Sequence, residues 1–460
     1  MNKPMREFRA DRHPAESYED ILDRDTREVP LIMREGPVPD IGTEPIAASR
    51  YTSREFFERE VARVWLKTWQ MACREEDIPN PGDYTIYDLV DKSLIVTRSP
   101  SGDIKAFYNS CLHRGRKLVT LNGCKSEFRC PFHGMTWTGD GAFKENPIEW
   151  DFPQWQGSGP RLPEAKVGTW AGFVFVNFDR EAAPLDETLG PIVGHFTRWR
   201  LDDSYTVAHV GKIIRANWKV VAEAFMESHH SVTTHPQILP FIADVNSQYD
   251  ILSDYITRQF SAIGVVSPYL AGQTVTPTDS YRAMVMQGGG MGAYEASSLV
   301  VPEGETARAY AAEQARQALS SEDGHDYSQC SDAEMVDSLL YNVWPNMSFW
   351  AGHTQKFIYR WRPNGRDHES TLMEVWILKR VPKNRPRPAP TAFRMLSDDE
   401  AWTTAEELGG LAAVFDQDMS NLQFVQEGLH SSGTGLVNFG RYSEMRIRKL
   451  HHMLDRYMNN

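Results

Sequence analysis

The stretch NSCLHRGRKLVTLNGCKSEFRCPFHGMTW occupies residues 109–137. It sets Cys111 and His113 one residue apart, and after a further 16 residues sets Cys130 and His133 two residues apart. Each pair offers one thiolate and one imidazole in a tight turn. Arg114-Gly115 follows the first pair, and Pro131 and Gly134 flank the second. Two such turns can enclose a tetrahedral zinc with two sulfur and two nitrogen ligands. They can also hold a [2Fe–2S] cluster, one iron taking both sulfurs and the other both imidazoles. Ligand count does not separate the two. The order helps: the one-residue gap of Cys-x-His is tight for a zinc knuckle, and the surroundings read as β rather than as the ββα of a finger.

Outward from this segment the pattern is of short strands. DYTIYDLV (83–90), SLIVTRS (93–99) and IKAFYNS (104–110) are β-branched and aromatic, with turn signals at Asp91-Lys92 and Ser101-Gly102-Asp103. Trp170 to Phe178 predicts a further strand. Arg54 to Gln70 carries Phe57, Val61, Val64, Trp65 and Trp69 at helical spacing. Residues 1–50, polar and proline-rich, read as an N-terminal arm, 51–182 as a small β domain, and 183–460 as a second domain. There, helices are expected over Asn217–Ser231, Glu303–Ser320 and Asp398–Gly428. A hairpin, Phe357–Trp361 with Thr371–Val381, is expected around Asn364-Gly365, followed by a stiff loop, PKNRPRPAP (382–390). Strands and helices cluster rather than alternate, so the fold class is α+β.

A second constellation lies in NWKVVAEAFMESHHSVTTHP, residues 217–236. Glu227 and His230 are three apart and share a face if the segment is helical. His230 and His235 are five apart, which a continuous helix would splay by about 140°. They converge if the helix ends between them, as Val232-Thr233-Thr234 and then Pro236 suggest. Two histidines need an anionic third ligand to make a facial triad with open positions. Leu411, Phe415, Asp418, Leu422, Val425 and Leu429 form one stripe with an aspartate where an apolar residue belongs. A buried unpaired carboxylate is costly, and a metal would offset that. Asp416, off the stripe, is the second candidate.

The Cys-x-His…Cys-x2-His segment resembles the Rieske motif, including the Arg-Gly and the flanking Pro and Gly. The E-x-x-H-x4-H run and the helix FDQDMSNLQFVQEGL (415–429) resemble the catalytic motif and carboxylate helix of Rieske non-haem iron oxygenase large subunits. The resemblance implies a [2Fe–2S] cluster on Cys111, His113, Cys130 and His133, and a mononuclear Fe(II) on His230, His235 and Asp418. It maps the family's bridging carboxylate, which carries electrons between the two centres, onto Glu227. Relatives with Glu rather than Asp there include enzymes acting on quaternary amines. His229 is expected beside the iron site; it and Ala224 stand where the family often has Tyr and Asn. The implied catalytic domain is an antiparallel sheet with helices (helix-grip, START-like). The implied assembly is a ring-shaped homotrimer, with or without a small beta subunit. The expected reaction uses O2 to hydroxylate an aromatic or bulky apolar substrate, ring dihydroxylation first and hydroxylating or dealkylating monooxygenation second.

Electrons must come from outside. The chain has no plant-type cluster motif, and Gly288-Gly289-Gly290-Met291-Gly292 lacks the register of a nucleotide fingerprint. NAD(P)H is therefore used through a separate reductase, with or without a ferredoxin. The net charge of −13 argues against nucleic acid. No apolar run reaches membrane-spanning length, and the charged N-terminus lacks a signal peptide, so a cytoplasmic protein is expected. Five cysteines, an odd count, argue against a disulfide scaffold, and Cys124 reads as a packed thiol. A pure electron carrier would need only the first 180 or so residues; a zinc-stabilised binding module is the other alternative. Ile238, Leu239, Phe241, Ile242, Tyr269, Leu270, Met284, Met286 and Met291, with Trp344, Phe349 and Trp350, suit an apolar pocket or ordinary core.

Overall fold

The three β-branched runs pair as an antiparallel meander, Asp83–Leu89, Lys92–Arg98 and Ile104–Tyr108. In the computed structural model, which describes residues 12–288, 299–354 and 356–459, they form the middle of a seven-stranded sheet. Its order is Gln70–Arg74, Phe173–Asn177, Glu164–Trp170, Ile104–Tyr108, Lys92–Arg98, Asp83–Leu89, Gly123–Cys124. A three-stranded sheet, Glu127–Arg129, Thr136–Thr138 and Phe143–Glu145, stands beside it. Residues 1–11 of the expected arm, and Gly289, Gly290, Met291 and Gly292, lie outside the described residues.

Two expectations need correction here. Trp170 ends one strand rather than opening one; Ala171 and Gly172, both at positive φ, turn the chain into Phe173–Asn177. The helix expected to Gln70 is α-helical only over Arg54–Glu60 and continues as a π-helical stretch, Val61–Trp65. Gln70 then opens a strand, because Gln70–Arg74 is drawn into pairing with Phe173–Asn177. Phe57, Val61, Val64, Trp65 and Trp69 are all buried as their spacing predicts.

The remainder is built on an eight-stranded sheet ordered Gln248–Ile251, Ile256–Ser261, Ser338–Val343, Met347–Trp350, Phe357–Asn364, Asp367–Arg380, Ser204–Ile214, Arg394–Met395. Every pair is antiparallel except the last. The expected hairpin is its centre, with Gly365 at φ 57° in the turn. The expected α+β class, with an antiparallel sheet and helices, is what forms. The Ala-rich helix runs Ala307–Asp323, started by the Thr306 side chain accepting from the Ala309 N–H. The last long helices are Leu411–His430 and Met445–Asn459.

The helix expected from Asp398 begins only at Leu411. Gly409 at φ 57° and Gly410 interrupt the earlier residues, which form two 3-10 turns, Trp402–Thr404 and Glu406–Leu408. The Asp416 carboxylate accepts from the Trp402 and Thr403 N–H groups at 2.7 and 3.1 Å, satisfying the first of these turns. The buried face of the helix also drifts. It runs Ala412, Phe415, Asp418, Leu422, Gln426, and Val425 is 46% exposed. Cys124 is exposed, not packed.

One apolar cluster joins Tyr51, Ala106, Val174 and Val176 to Val375, Phe415 and Leu422, so it runs across the two halves of the chain. A second gathers Tyr18, Ile21, Leu22 and Met33 with Phe260, Tyr341 and Phe349. The described part of the arm is thus packed against the large sheet, and the Arg258 guanidinium donates to the Ile32 and Arg34 carbonyls.

Under the first cluster lies a buried polar layer. Lys219 Nζ meets Glu60 Oε1 at 2.7 Å with both side chains fully buried. Beside them, Glu223 accepts from the Tyr51 hydroxyl at 3.0 Å and faces His451 Nε2 at 2.9 Å. Burial raises the Glu223 carboxyl to about 8, despite Tyr51 and Lys219 nearby. The folded state therefore keeps a proton that the unfolded chain releases near 4.5, and stability falls as pH rises from there to about 8. Glu223→Gln, neutral and of the same shape, is expected to flatten that fall, read by urea unfolding at about pH 5 and pH 8. Lys219→Met leaves Glu60 buried without a partner and is expected to cost about 3–5 kcal/mol in the same measurement; adding Glu60→Leu should recover most of it.

Candidate metal centres

The two Cys/His turns are built alike. In the first, the Cys111 N–H donates to the Arg116 carbonyl at 2.8 Å and the Gly115 N–H to the Cys111 carbonyl at 2.9 Å. In the second, Cys130 N–H reaches the Met135 carbonyl at 2.8 Å and Gly134 N–H the Cys130 carbonyl at 3.0 Å. Gly115 and Gly134 both have positive φ, 76° and 80°, at the equivalent position. At Gly134 a Cβ would also come within 3.0 Å of Arg129 Nη2 and Pro147 Cγ. The turns bring four donor groups together with their sulfurs inward. Cys111 and Cys130 are buried among Tyr84, Phe107, Phe128 and Trp137. His113 and His133 are half-buried, their rings 4.7 Å apart. Two adjacent thiols and two adjacent imidazoles, divided between core and surface, match the donor set of a Rieske-type [2Fe–2S] cluster. The rim is apolar and basic: Phe132 is 59% exposed, and the Arg114 guanidinium lies 4.9 Å over its ring and 3.2 Å from His133 Nε2.

The second site departs locally from the expected helix. Asn217 caps a helix that spans only Trp218–Glu223. Residues 224–230 then turn, and a short helix, Ser231–Thr234, separates His230 from His235. Glu227 and His230 therefore meet in a tight turn rather than on a helical face. Glu227 Oε2 accepts from the His230 backbone N–H at 3.1 Å, and Oε1 lies 2.5 Å from His230 Nδ1. His229 Nδ1 takes the other oxygen at 2.8 Å. Burial alone would raise the Glu227 carboxyl, but the hydrogen bonds from His229 and His230 outweigh it and hold it at about 2.

Across from this turn, Asp418 projects from the buried face of Leu411–His430. His230, His235 and Asp418 offer ligand atoms that all lie within 4.8 Å of one another. His235 Nε2 is 2.8 Å and His230 Nε2 3.6 Å from Asp418 Oδ1. The outer nitrogens are both engaged, His230 Nδ1 by Glu227 and His235 Nδ1 by Gln417 Oε1 at 2.8 Å. With each Nδ1 donating, both imidazoles turn an Nε2 lone pair toward Asp418, which suits a divalent cation between them. Without one, His235 would face acceptors at both nitrogens, which a neutral ring with one N–H cannot satisfy. The residues present fit a mononuclear metal. Asp416, facing the loop, is not part of the group. His229 stands beside Glu227, outside the three.

Gln417 went unread in the sequence. It precedes Asp418 and is clamped by Gln237, whose Nε2 donates to Gln417 Oε1 at 2.6 Å. Nothing in the spacing marks it, because its partner is 180 residues away. Of the apolar residues expected around the site, Ile238 and Phe241 are buried in a cluster with Tyr281 and Met335. Phe349 belongs to the core on the sheet's other cluster, and Tyr269 and Met286 are exposed. Phe415, one turn before Asp418 on the same helix, packs against Phe225 and Tyr359. Gln417→Leu is expected to weaken Fe(II) binding about ten- to hundredfold in chelator competition, while Asp416→Asn leaves it unchanged.

The chain matches a family model for the ring hydroxylating alpha subunit (catalytic domain) over residues 193–460 and one for the Rieske [2Fe-2S] domain over residues 68–156. It is 29% identical over 212 residues to the anthranilate 1,2-dioxygenase large subunit of Acinetobacter baylyi, covering 43% of this chain and 44% of that protein. It is 29% identical over 199 residues to the carnitine monooxygenase oxygenase subunit of Escherichia coli, covering 42% and 52%. The matched stretches thus span about half the length of these relatives. Among solved structures, a quaternary ammonium Rieske monooxygenase described for carnitine oxidation and inter-subunit electron transfer superposes with a TM-score of 0.63 at 18% identity, covering 92% of this chain and 100% of that one. Naphthalene 1,2-dioxygenase with indole bound superposes with a TM-score of 0.61 at 19% identity, covering 92% and 94%. The chain belongs to the ring-hydroxylating alpha-subunit family of Rieske non-haem iron oxygenases, which carry a [2Fe–2S] cluster and a mononuclear iron.

Proposed function

We propose that this chain is the oxygenase component of a multicomponent system that uses O2 and electrons from a separate NAD(P)H-dependent reductase, with or without a ferredoxin. The observation that carries the reading is the convergence of His230, His235 and Asp418, with Glu227 on the outer nitrogen of His230, in a chain that also holds paired Cys/His turns. Cys111, Cys130, His113 and His133 hold the cluster, and His230, His235 and Asp418 hold the iron. Held by these residues, an iron would supply O2 activation and the cluster would supply single electrons.

The residues do the rest. Gln417 and Glu227 fix the imidazole tautomers. Glu227, ionised at neutral pH, is the path between the centres: its free acceptor capacity meets His133 or His113 of a neighbouring subunit in a homotrimer, with or without a small beta subunit. Phe225, Tyr359 and Phe415 pack together one turn from Asp418, and aromatic surroundings of this kind favour an aromatic or bulky apolar substrate. Ring dihydroxylation is the first reading. Monooxygenation with dealkylation of an amine is the second, favoured by Glu at position 227 and by the likeness to carnitine monooxygenases. The protein works in the cytoplasm, where NAD(P)H is at hand; among the described residues no helix is long and apolar enough to cross a membrane.

Electron paramagnetic resonance of the anaerobically reduced protein, with and without nitric oxide, tests the metal assignment. A Rieske-type signal plus a high-spin iron–nitrosyl signal is expected, and the nitrosyl signal should vanish in Asp418→Ala. A cluster signal with no nitrosyl species in iron-replete protein would leave an electron carrier. Glu227→Gln is expected to retain both signals and lose substrate turnover by at least about a hundredfold, a loss of roughly 2.7 kcal/mol of transition-state stabilisation; undiminished turnover would remove the bridge. Comparing oxygen uptake with naphthalene and with carnitine separates the two readings of the substrate.

A further inference from the structure

The C-terminal helix Met445–Asn459 carries a buried cation in its first turn. Arg446 is 1% exposed, and an arginine so deeply buried is rare unless it is paired. Among the described residues no carboxylate pairs with it; its guanidinium spans three neutral acceptors instead. Nη1 donates to the Gln259 side-chain oxygen at 2.7 Å and to the Met226 carbonyl at 3.3 Å, and Nε to the Thr257 hydroxyl at 3.4 Å. Gln259 and Thr257 belong to the strand Ile256–Ser261. Met226 belongs to the turn at 224–230 and immediately precedes Glu227.

Two observations connect this cation to Glu227. The first is mechanical. Glu227 sits between two anchored neighbours. Met226, before it, is gripped through its carbonyl by Arg446. Ser228, after it, donates its N–H to the Tyr249 hydroxyl at 3.2 Å and its own hydroxyl to the Asp244 carbonyl at 2.9 Å. The carboxylate between them is then free to settle only against His229 and His230. The second is electrostatic. Burial pushes the Arg446 guanidinium down to about 9, and the charge of Glu227 opposes that shift. Opposite charges act on each other more strongly in a buried setting than in water, so a cation fixed behind Met226 stabilises an ionised carboxylate on the next residue. The larger influences on Glu227 are the hydrogen bonds from His229 and His230, so the grip on the backbone is the main part of the connection.

We propose that Arg446 is a positioning residue of the iron site: by fixing the Met226 carbonyl it sets the Glu227 carboxylate against His230 and so orients that imidazole. The inference rests on the reading of His230 as an iron ligand. The chain of contacts runs from Arg446 to Met226, then from Glu227 Oε1 to His230 Nδ1, which leaves His230 Nε2 toward Asp418. None of the hydrogen bonds of Arg446 reaches His230, His235 or Asp418. Its effect on iron therefore passes through Glu227. An arginine suits the task because one planar fork ties the turn to two residues of the neighbouring strand at once.

The test is the Fe(II) affinity of the full-length, cluster-loaded protein in chelator competition. Arg446→Met, uncharged and of similar length, is expected to weaken binding at least about fivefold. In a Glu227→Ala background the same substitution should weaken it less than about twofold, because the side chain it positions is gone. Arg446→Lys keeps the charge and a donor, and should return the affinity to within about threefold of the unsubstituted chain. Backbone hydrogen exchange over residues 226–231 should accelerate at least about fivefold in Arg446→Met, while exchange over 111–116 and 130–135 stays as it was. Arg446→Gln, which leaves a polar group in place, carries the same comparison if Arg446→Met does not fold. Unchanged affinity, or an equal loss with and without Glu227, overturns the assignment. A lower urea midpoint with unchanged affinity would make Arg446 a residue of the fold alone. His230→Ala tests the underlying reading separately: Fe(II) affinity equal to that of the unsubstituted chain would remove His230 as a ligand, whatever Arg446 does.

Discussion

The site depends on one costly placement, the Asp418 carboxylate on a buried helical face between Phe415 and Leu422. At 5% exposure it has little water to solvate its charge. An unpaired carboxylate in such a place costs several kcal/mol, so its neighbours must answer it. They would do so by sharing a divalent cation with it, because the outer nitrogens of both imidazoles are occupied. Glu227 engages His230 and Gln417 engages His235, and in each case the lone pair left over faces Asp418. The helix Leu411–His430, the turn at 224–230 and the pair Gln237–Gln417 are thus different parts of one response to a single negative charge.

That response explains what could be read from the chain and what could not. The chemistry was legible because it uses rare residue types at short spacing. Cys111, His113, Cys130 and His133 come together as two like turns, and His230, His235 and Asp418 come within 4.8 Å of one another. Local backbone shape was less legible. Ala224 to His230 has helical composition, yet Glu227 gains three hydrogen bonds by turning back on its own histidines, more than the helix would give it. In the same way Gln70 leaves a helical pattern because a neighbouring strand pairs with it. Gln417 could not be found, since an amide beside a ligand has meaning only once residue 237 is folded against it. The helix start at Leu411 was missed because Gly409 and the capping carboxylate of Asp416 act from opposite ends of one loop.

The asymmetry of the Cys/His turns carries a further consequence. They share the same hydrogen bonds and a glycine at positive φ, but the cysteines sit in an aromatic core and the histidines nearer the surface, beside exposed Phe132 and Arg114. The sulfur side is buried among aromatic side chains, which would limit reorganisation around a cluster held there. The imidazole side is where another protein can make contact, since Phe132 offers apolar area and Arg114 a charge.

Glu227 is held almost entirely by its own chain. An ionised carboxylate has about four acceptor positions. Oε2 takes the His230 backbone N–H and His229 Nδ1, and Oε1 takes His230 Nδ1, so three are used within the chain. These bonds hold the group rigid and ionised, with its side chain 9% exposed. One acceptor position is left on the oxygen that already touches His230. A second imidazole N–H arriving there would be joined to the iron-side histidine through a single oxygen atom. His229 matters to this geometry although it is not one of the three clustered residues: by occupying Oε2 it leaves Oε1 as the oxygen with an acceptor position still open.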